Sequence, residues 1–357
     1  MGRSSNGRTI KVGMLHPRSG VAGMWAPSID AAAIVGAAEV NSTGGILGEE
    51  IELVFADSGF SIAEAVNAVD TLIEVDGVDA IVGAHPSNIR DAVSRQISSK
   101  VPYIYTAQYE GIACGPATVA TGSTDYELMA PALAWLRAEK QAERFFFVGN
   151  DYIWPRMALG TTRGLMRQMG TFLVGQAILP IKVLDYTALL RQIAGSGAQM
   201  VITALVGQAA VDFHRAFAAA GMDEKILRFG LIIDETVICG IGAEASTNLF
   251  TASSYFAERH SRSNDHFLEL YHDAFGAFAP PVSAGSVGAY EGVHVLAGLA
   301  NDLQTRDARA LAHHLGQLLS RPSVRHMLDG KPMGQWPAAY MGRADGVTLR
   351  VVADLTH

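Results

Sequence analysis

The chain has 357 residues, 49% of them hydrophobic and 17% charged. That composition excludes global disorder, and the length exceeds what a single core usually fills. The net charge of −8 is spread thinly, with no run of Lys or Arg longer than two, which excludes the basic surface that nucleic acid requires.

The opening stretch MGRSSNGRTIKVGML passes from a polar stub straight into a strand, without the apolar segment and small-residue cleavage site of an export signal. The expectation is a cytoplasmic protein if Met1 is the native start, and a periplasmic or cell-surface one if a signal was removed. No stretch approaches the roughly 18 to 20 uninterrupted apolar residues of a membrane span. Cys114 and Cys239 both lie in apolar neighbourhoods and are read as buried thiols rather than a disulfide.

Short apolar runs then alternate with helical patterns. Strands are predicted at 10–15, 51–56, 80–84 and 103–106, with helices to about Val40, through Ile73 and over 88–98. This alternation predicts a parallel sheet covered on both faces. After Gly122 the series restarts: helices at 126–139, 156–169, 186–195 and 207–220 alternate with strands at 144–149, 171–178, 199–205 and 228–233. A strand at 249–256 leads into helices at about 263–276, 284–303 and 306–319, followed by short strands. Those late helices need a sheet to cover and are expected to return to the first lobe. The chain would then cross between lobes more than once, through a hinge with a cleft beside it.

Enzyme signatures are absent: there is no HExxH, CxxC, GxSxG or GxxxxGK[ST]. The 11 histidines lack ligand spacing, since His313 and His314 are adjacent and His260, His266 and His272 step by six; they are read as solvated or singly hydrogen-bonded. Gly240, Gly242 and Ala245 match GxGxxA, but the preceding DETVIC reads as a short helix where a dinucleotide site needs a strand. No cofactor or metal is expected.

The carboxyl ends of the predicted strands are richer in recognition chemistry. After 80–84 come His85, Pro86, Ser87 and Asn88, where Ser87 would either cap the following helix or offer its hydroxyl to a ligand. Tyr105, Thr106, Ala107, Gln108 and Tyr109 follow the fourth strand. Asn150, Asp151, Tyr152, Ile153 and Trp154 follow 144–149, with Pro155 placed to start a helix. Val206, Gly207 and Gln208 follow 199–205. Hydroxyls, amides and aromatic rings recur at four strand ends with almost no acid/base pair, a pattern that suits recognition of an uncharged polar molecule.

NSTGGILG, GAHPSNIRDAV, YTAQYEG, GNDYIWPR and ALVGQAAVDFHRAF resemble segments of the type I periplasmic-binding-protein superfamily, in the branch of the aliphatic amide sensor, the urea receptor and the short-chain amide receptors. The matches run in order from about residue 11 to 300. The resemblance implies an α/β fold of two doubly wound parallel-sheet lobes joined by a three-strand hinge. Residues 1–122 plus about 254–328 would form one lobe and 123–253 plus about 329–357 the other, with the ligand in the cleft. The family's pocket hydroxyls fall on Ser87, Tyr105 and Tyr152, and Trp25 is similar to the pocket-wall tryptophan of amino-acid-binding relatives. The sequence departs from the branch at His85, where Tyr or another uncharged residue is usual, and at Ile233, where a small polar residue is usual. His85 leaves an anionic ligand open. Asp234 or Glu235 would meet a ligand amine or serve as a helix N-terminal acid.

These readings lead to a non-catalytic receptor that closes on a small uncharged or zwitterionic solute, a short-chain amide, urea-like or related compound. Ser87, Tyr105 and Tyr152 would supply hydrogen bonds, with Trp25, His85, Ala107, Gln108, Val206, Ile233 and Asp234 around them. Its partner would be a regulatory protein if the chain is a cytoplasmic sensor. The alternative is the solute-binding component of an ABC importer for amides, urea or branched-chain amino acids, whose partner is the permease. A homo-oligomer is compatible with either.

Overall fold

A computed structural model describes residues 9–112, 114–115, 117–314 and 338–356. They divide into two compact units. The first comprises residues 9–108, 112–122 and 260–314, and the second 109–111, 123–259 and 338–356.

In chain order the first unit opens with β1 (Ile10–His16), α1 (Ala26–Ser42), β2 (Ile51–Asp57), α2 (Ile62–Asp70), β3 (Ala80–Gly83), α3 (Ser87–Ile97), β4 (Tyr103–Tyr105) and β5 (Thr118–Ala120). The second unit holds α4 (Asp125–Lys140), β6 (Arg144–Asn150), α5 (Ile153–Met169), β7 (Phe172–Leu179), α6 (Thr187–Gly195), β8 (Met200–Ala204), α7 (Gln208–Ala219), β9 (Leu227–Gly230), α8 (Glu235–Ile241) and β10 (Leu249–Ser253). The chain returns to the first unit for α9 (Arg262–Phe275), α10 (Ala284–Leu303) and α11 (Ala308–His313), and β11 (Tyr340–Asp345) and β12 (Thr348–Asp354) belong to the second. Residues 315–319 of the predicted third late helix, and the predicted lobe boundary at 328/329, lie outside the described residues.

The first sheet has the order β2-β1-β3-β4-β5, all parallel. Its central strands β3 and β4 are buried on both faces and apolar throughout. α1 and α10 pack on one another and share the core with Val12, Met14, Val82 and Ile104. Small residues set the approach: a side chain at Gly36 of α1 would press on Tyr290, and one at Gly292 of α10 would sit 2.7 Å from Val82 and 2.8 Å from Thr106. The segment Gly20–Ser42 has the length and apolarity to cross a membrane, yet it contains α1, and most of its apolar window is buried in this core.

The second sheet runs β12-β11-β10-β9-β8-β6-β7; β6 to β10 are parallel, and β11 joins antiparallel to β10. Phe145, Phe147, Ile202 and Phe229 build its core with helices α4 and α5. Ser61 with Glu64, and Thr124 with Glu127, form capping boxes that fix the starts of α2 and α4.

Several expectations need correction. α5 begins at Ile153, so Pro155 is its third residue; the first-turn amides have no helical acceptor, and proline there removes nothing. β9 ends at Gly230, where a side chain would collide with Ile233. Cys114 is half-buried and Cys239 exposed, and neither forms a disulfide. His16, His85 and His214 are buried, and His85 and His214 each meet two partners rather than solvent or a single hydrogen bond.

On the outer side of α1, Glu39 accepts hydrogen bonds from His266 Nε2 of α9 at 2.7 Å, from His294 Nε2 of α10 at 3.1 Å, and from the Tyr290 hydroxyl. The His294 bond leads the effects that hold its carboxyl down at about 2, outweighing partial burial. A depressed carboxylate adds stability above its unfolded value of 4.5 and loses it as pH falls toward 2. Glu39→Gln should lower stability at pH 7 by about 0.5 to 1 kcal/mol. Urea denaturation at pH 7 and pH 3 should find that the variant loses less stability than wild type on acidification; an equal loss in both would contradict this role.

Candidate functional site

The C-terminal edge of the first sheet gathers the polar residues of that unit. At the end of β1, buried His16 lies with Nε2 2.8 Å from Asp30, which also pairs with Arg18 at 2.7 Å. Asp57, at the end of β2, accepts from the Arg18 amide, the Ser19 hydroxyl and the Gly59 amide; these bonds hold its carboxyl below the usual range against partial burial.

Ser87 is the first residue of α3 and is 6% exposed. Pro86 occupies the cap position and Ser87 does not cap the helix; its hydroxyl makes no hydrogen bond among the described residues. It lies in the first turn, where amide hydrogens have no acceptor four residues back and the helix dipole is positive. Three residues on, buried Arg90 donates to the Ile112 carbonyl at 3.5 Å and places its guanidinium 5.4 Å from the Tyr105 ring centre. The sequence reading missed Arg90; its signal was an arginine one helical turn after the serine, on the face that also carries Ser94.

His85 is turned inward. Nε2 lies 2.6 Å from the Tyr103 hydroxyl, Nδ1 is 3.3 Å from the Pro86 carbonyl, and the His85 carbonyl accepts from the Tyr105 hydroxyl at 2.9 Å. Burial, with the positive charges of Arg90 and His16, pushes its pKa down to about 4, so the ring is neutral at pH 7. The cationic option for His85 is thereby removed. Tyr105 is fully buried, and its hydroxyl proton is committed to that carbonyl. Trp25 is half-buried at the cap of α1, against the core; Ala107 and Gln108 are half-buried after β4.

In the second unit, Tyr152 caps α5 positionally and tilts over Trp154 at 6.1 Å, while Trp154 Nε1 donates to Asp125 at 3.0 Å. Asn150, at the end of β6, is buried; its Oδ1 accepts from the Val206 amide at 2.9 Å and its Nδ2 donates to the Pro180 carbonyl at 3.3 Å. This residue ties two strand ends and a loop together, a role that an Asn-Asp pair conceals in sequence because either reads as a turn residue. Val206 is buried, and Gly207 beside it adopts φ 50°, a left-handed value that favours glycine. Ile233 is buried over Gly230. Asp234 caps α8, accepting from the Thr236 and Val237 amides at 3.1 and 3.0 Å.

Glu235 accepts from the Ala257 amide through Oε1 at 2.8 Å, while its buried Oε2 has no hydrogen-bond partner. Burial, reinforced by Asp234, raises its pKa to about 8. An acid that ionises at 4.5 unfolded and near 8 folded destabilises the fold progressively as pH rises between those values. Glu235→Gln should therefore raise stability at pH 8 by at least about 1 kcal/mol and change it little at pH 4.5. Denaturation curves at the two values check this, and a gain independent of pH would contradict it.

Among the described residues no group of three or more His, Cys, Asp or Glu side chains is arranged to hold a metal ion. Two parallel-stranded units with polar strand ends define a two-lobed α/β solute-binding protein. The periplasmic binding protein family model matches residues 9–327, and the chain belongs to that family, whose members bind rather than transform their solutes. The fold is similar to that of the branched-chain amino acid transporter substrate-binding protein LivJ from Streptococcus pneumoniae, solved with isoleucine. That match has 19% identity and a TM-score of 0.84 over 98% of this chain and 99% of that one. It is also similar to an ABC-transporter solute-binding protein from Rhodopseudomonas palustris in complex with p-hydroxybenzoic acid, at 20% identity and TM-score 0.84 over 98% and 96% of the two chains. Another, from the same organism, is in complex with benzoate, at 17% identity and TM-score 0.81 over 98% and 97%.

Proposed function

We propose that this chain is the solute-binding component of an ABC importer, and that its solute is a small carboxylate of the amino-acid or aromatic-acid class. The observation that carries the reading is the Ser87 hydroxyl, uncommitted in the first turn of α3 at a strand end. A carboxylate offers two strong acceptors and a negative charge to that hydroxyl, to the neighbouring amides and to the positive end of the helix. Arg90, buried one turn further along α3, adds a positive charge nearby.

A short amide or urea offers one weaker carbonyl and brings N–H donors that need acceptors, of which the first turn of a helix has few. The amide reading and the regulatory-sensor role have only the sequence resemblance behind them. Import is supported by relatives of the same fold named as transporter components, one holding isoleucine and two holding benzoates. Ser87, Trp25, Ala107 and Gln108 of the first unit would contribute contacts, and the buried side chains of His85 and Tyr105 would support that surface rather than touch the solute.

A thermal-shift panel of isoleucine, benzoate, 4-hydroxybenzoate, acetamide and urea tests this, because a ligand at 100 times its dissociation constant stabilises by about 2.7 kcal/mol. Carboxylates should raise the melting temperature and Ser87→Ala should weaken their binding by about tenfold or more, the loss of a hydrogen bond to a charged group. A response to acetamide or urea alone would overturn the carboxylate class.

A further inference from the structure

One cluster of buried polar groups is left unused by this reading. The rings of His85 and Tyr103 stack 15° from parallel, with centroids 6.1 Å apart, and both residues are nearly inaccessible. Gly83, the last residue of β3, makes the room: a side chain there would sit 2.9 Å from the Tyr103 ring and 3.1 Å from His85 Nε2. The Tyr105 ring tilts against His85 at 5.2 Å, and its hydroxyl holds the His85 carbonyl.

The hydrogen-bond inventory determines the ring's form. Nδ1 faces the Pro86 carbonyl, which can only accept, so Nδ1 carries the hydrogen; a neutral ring then leaves Nε2 to accept from the Tyr103 hydroxyl. Charged and titratable groups acting on the pair are Arg90, His16, Tyr105 and Cys114, and the first two, when positively charged, oppose protonation of His85. None of them is a carboxylate that would stabilise an imidazolium.

We propose that Tyr103 and His85 form a positioning pair for the solute site: Tyr103 locks His85 as the neutral Nδ1–H tautomer, and the locked ring and its carbonyl fix the turn from β3 into α3 that presents the Ser87 hydroxyl. Tyr103 is thus a positioning residue that never meets the solute, and the strand-end surface keeps one charge state through the range where an ordinary histidine titrates. The inference rests on the assignment of Ser87 to the site.

Two-bond imidazole ¹H–¹⁵N spectra, with the His85 signals assigned through His85→Asn, test the lock in the ligand-free protein. Wild type should show an Nδ1–H ring with a hydrogen-bonded Nε2 and no titration between pH 5 and 8. A ring that titrates in that window, or that carries its hydrogen on Nε2, overturns the proposal whatever the variants do. Tyr103→Phe keeps the aromatic packing and removes only the hydroxyl; it should shift Nε2 to the resonance of a free acceptor and weaken binding of isoleucine or 4-hydroxybenzoate by about tenfold. If Ser87→Ala weakens binding of the probe and Tyr103→Phe does not, the positioning role is wrong and the solute site stands. If Ser87→Ala leaves binding unchanged, the site assignment itself is wrong.

Discussion

A parallel sheet with apolar residues on both faces must be covered twice, and this constraint governs the first unit. One face is covered by α2 and α3 and the other by α1 together with α10, and α10 is supplied only after the chain has built most of the second unit, so the course of the polypeptide follows from the burial requirement. The fit is made by glycines: Gly36 admits Tyr290, and Gly288 and Gly292 let α10 lie directly on Val82, Thr106 and their neighbours. β3 and β4 are pinned from that side, and their carboxyl ends, which carry His85 and Tyr105, are held by the same contact.

The candidate site inherits its order from that packing. Gly83 allows two rings to crowd the end of β3, the His85 carbonyl anchors Tyr105, and Ser87 emerges one turn later with its hydroxyl free. In the second unit Asn150 does comparable work with a single side chain, joining the ends of β6 and β8 to the loop at Pro180. Both arrangements use buried, hydrogen-bonded polar groups to fix the strand ends beside them, an order suited to binding without reaction.

Much of the fold was legible because the strands are continuous apolar runs and the helices keep a 3.6-residue period; β6, with three successive phenylalanines, is the clearest case. What escaped had physical reasons. β5 is only three residues long between turn-forming segments, too short for a period to register. The start of α5 was misplaced because proline is as compatible with the third helical position as with the first. The cysteines were judged by neighbours in sequence, whereas exposure depends on neighbours in space. In the site, Ser87 stood out as a hydroxyl at a strand end, but whether it capped the helix depended on backbone geometry at Pro86. His85 was visible as a departure from its relatives, yet its neutrality depends on Tyr103, which lies 18 residues away and reads in sequence as an ordinary strand aromatic. Asn150 and Arg90 were hidden for the same reason: their partners are distant along the chain.

The central claim is that a carboxylate solute is held at the start of α3. A crystal structure of the protein with isoleucine or 4-hydroxybenzoate tests it most directly. The account predicts a carboxylate oxygen within hydrogen-bond distance of Ser87 Oγ, with His85 still facing Tyr103. A solute bound away from the first turn of α3, or one that reaches His85 and leaves Ser87 untouched, would contradict it.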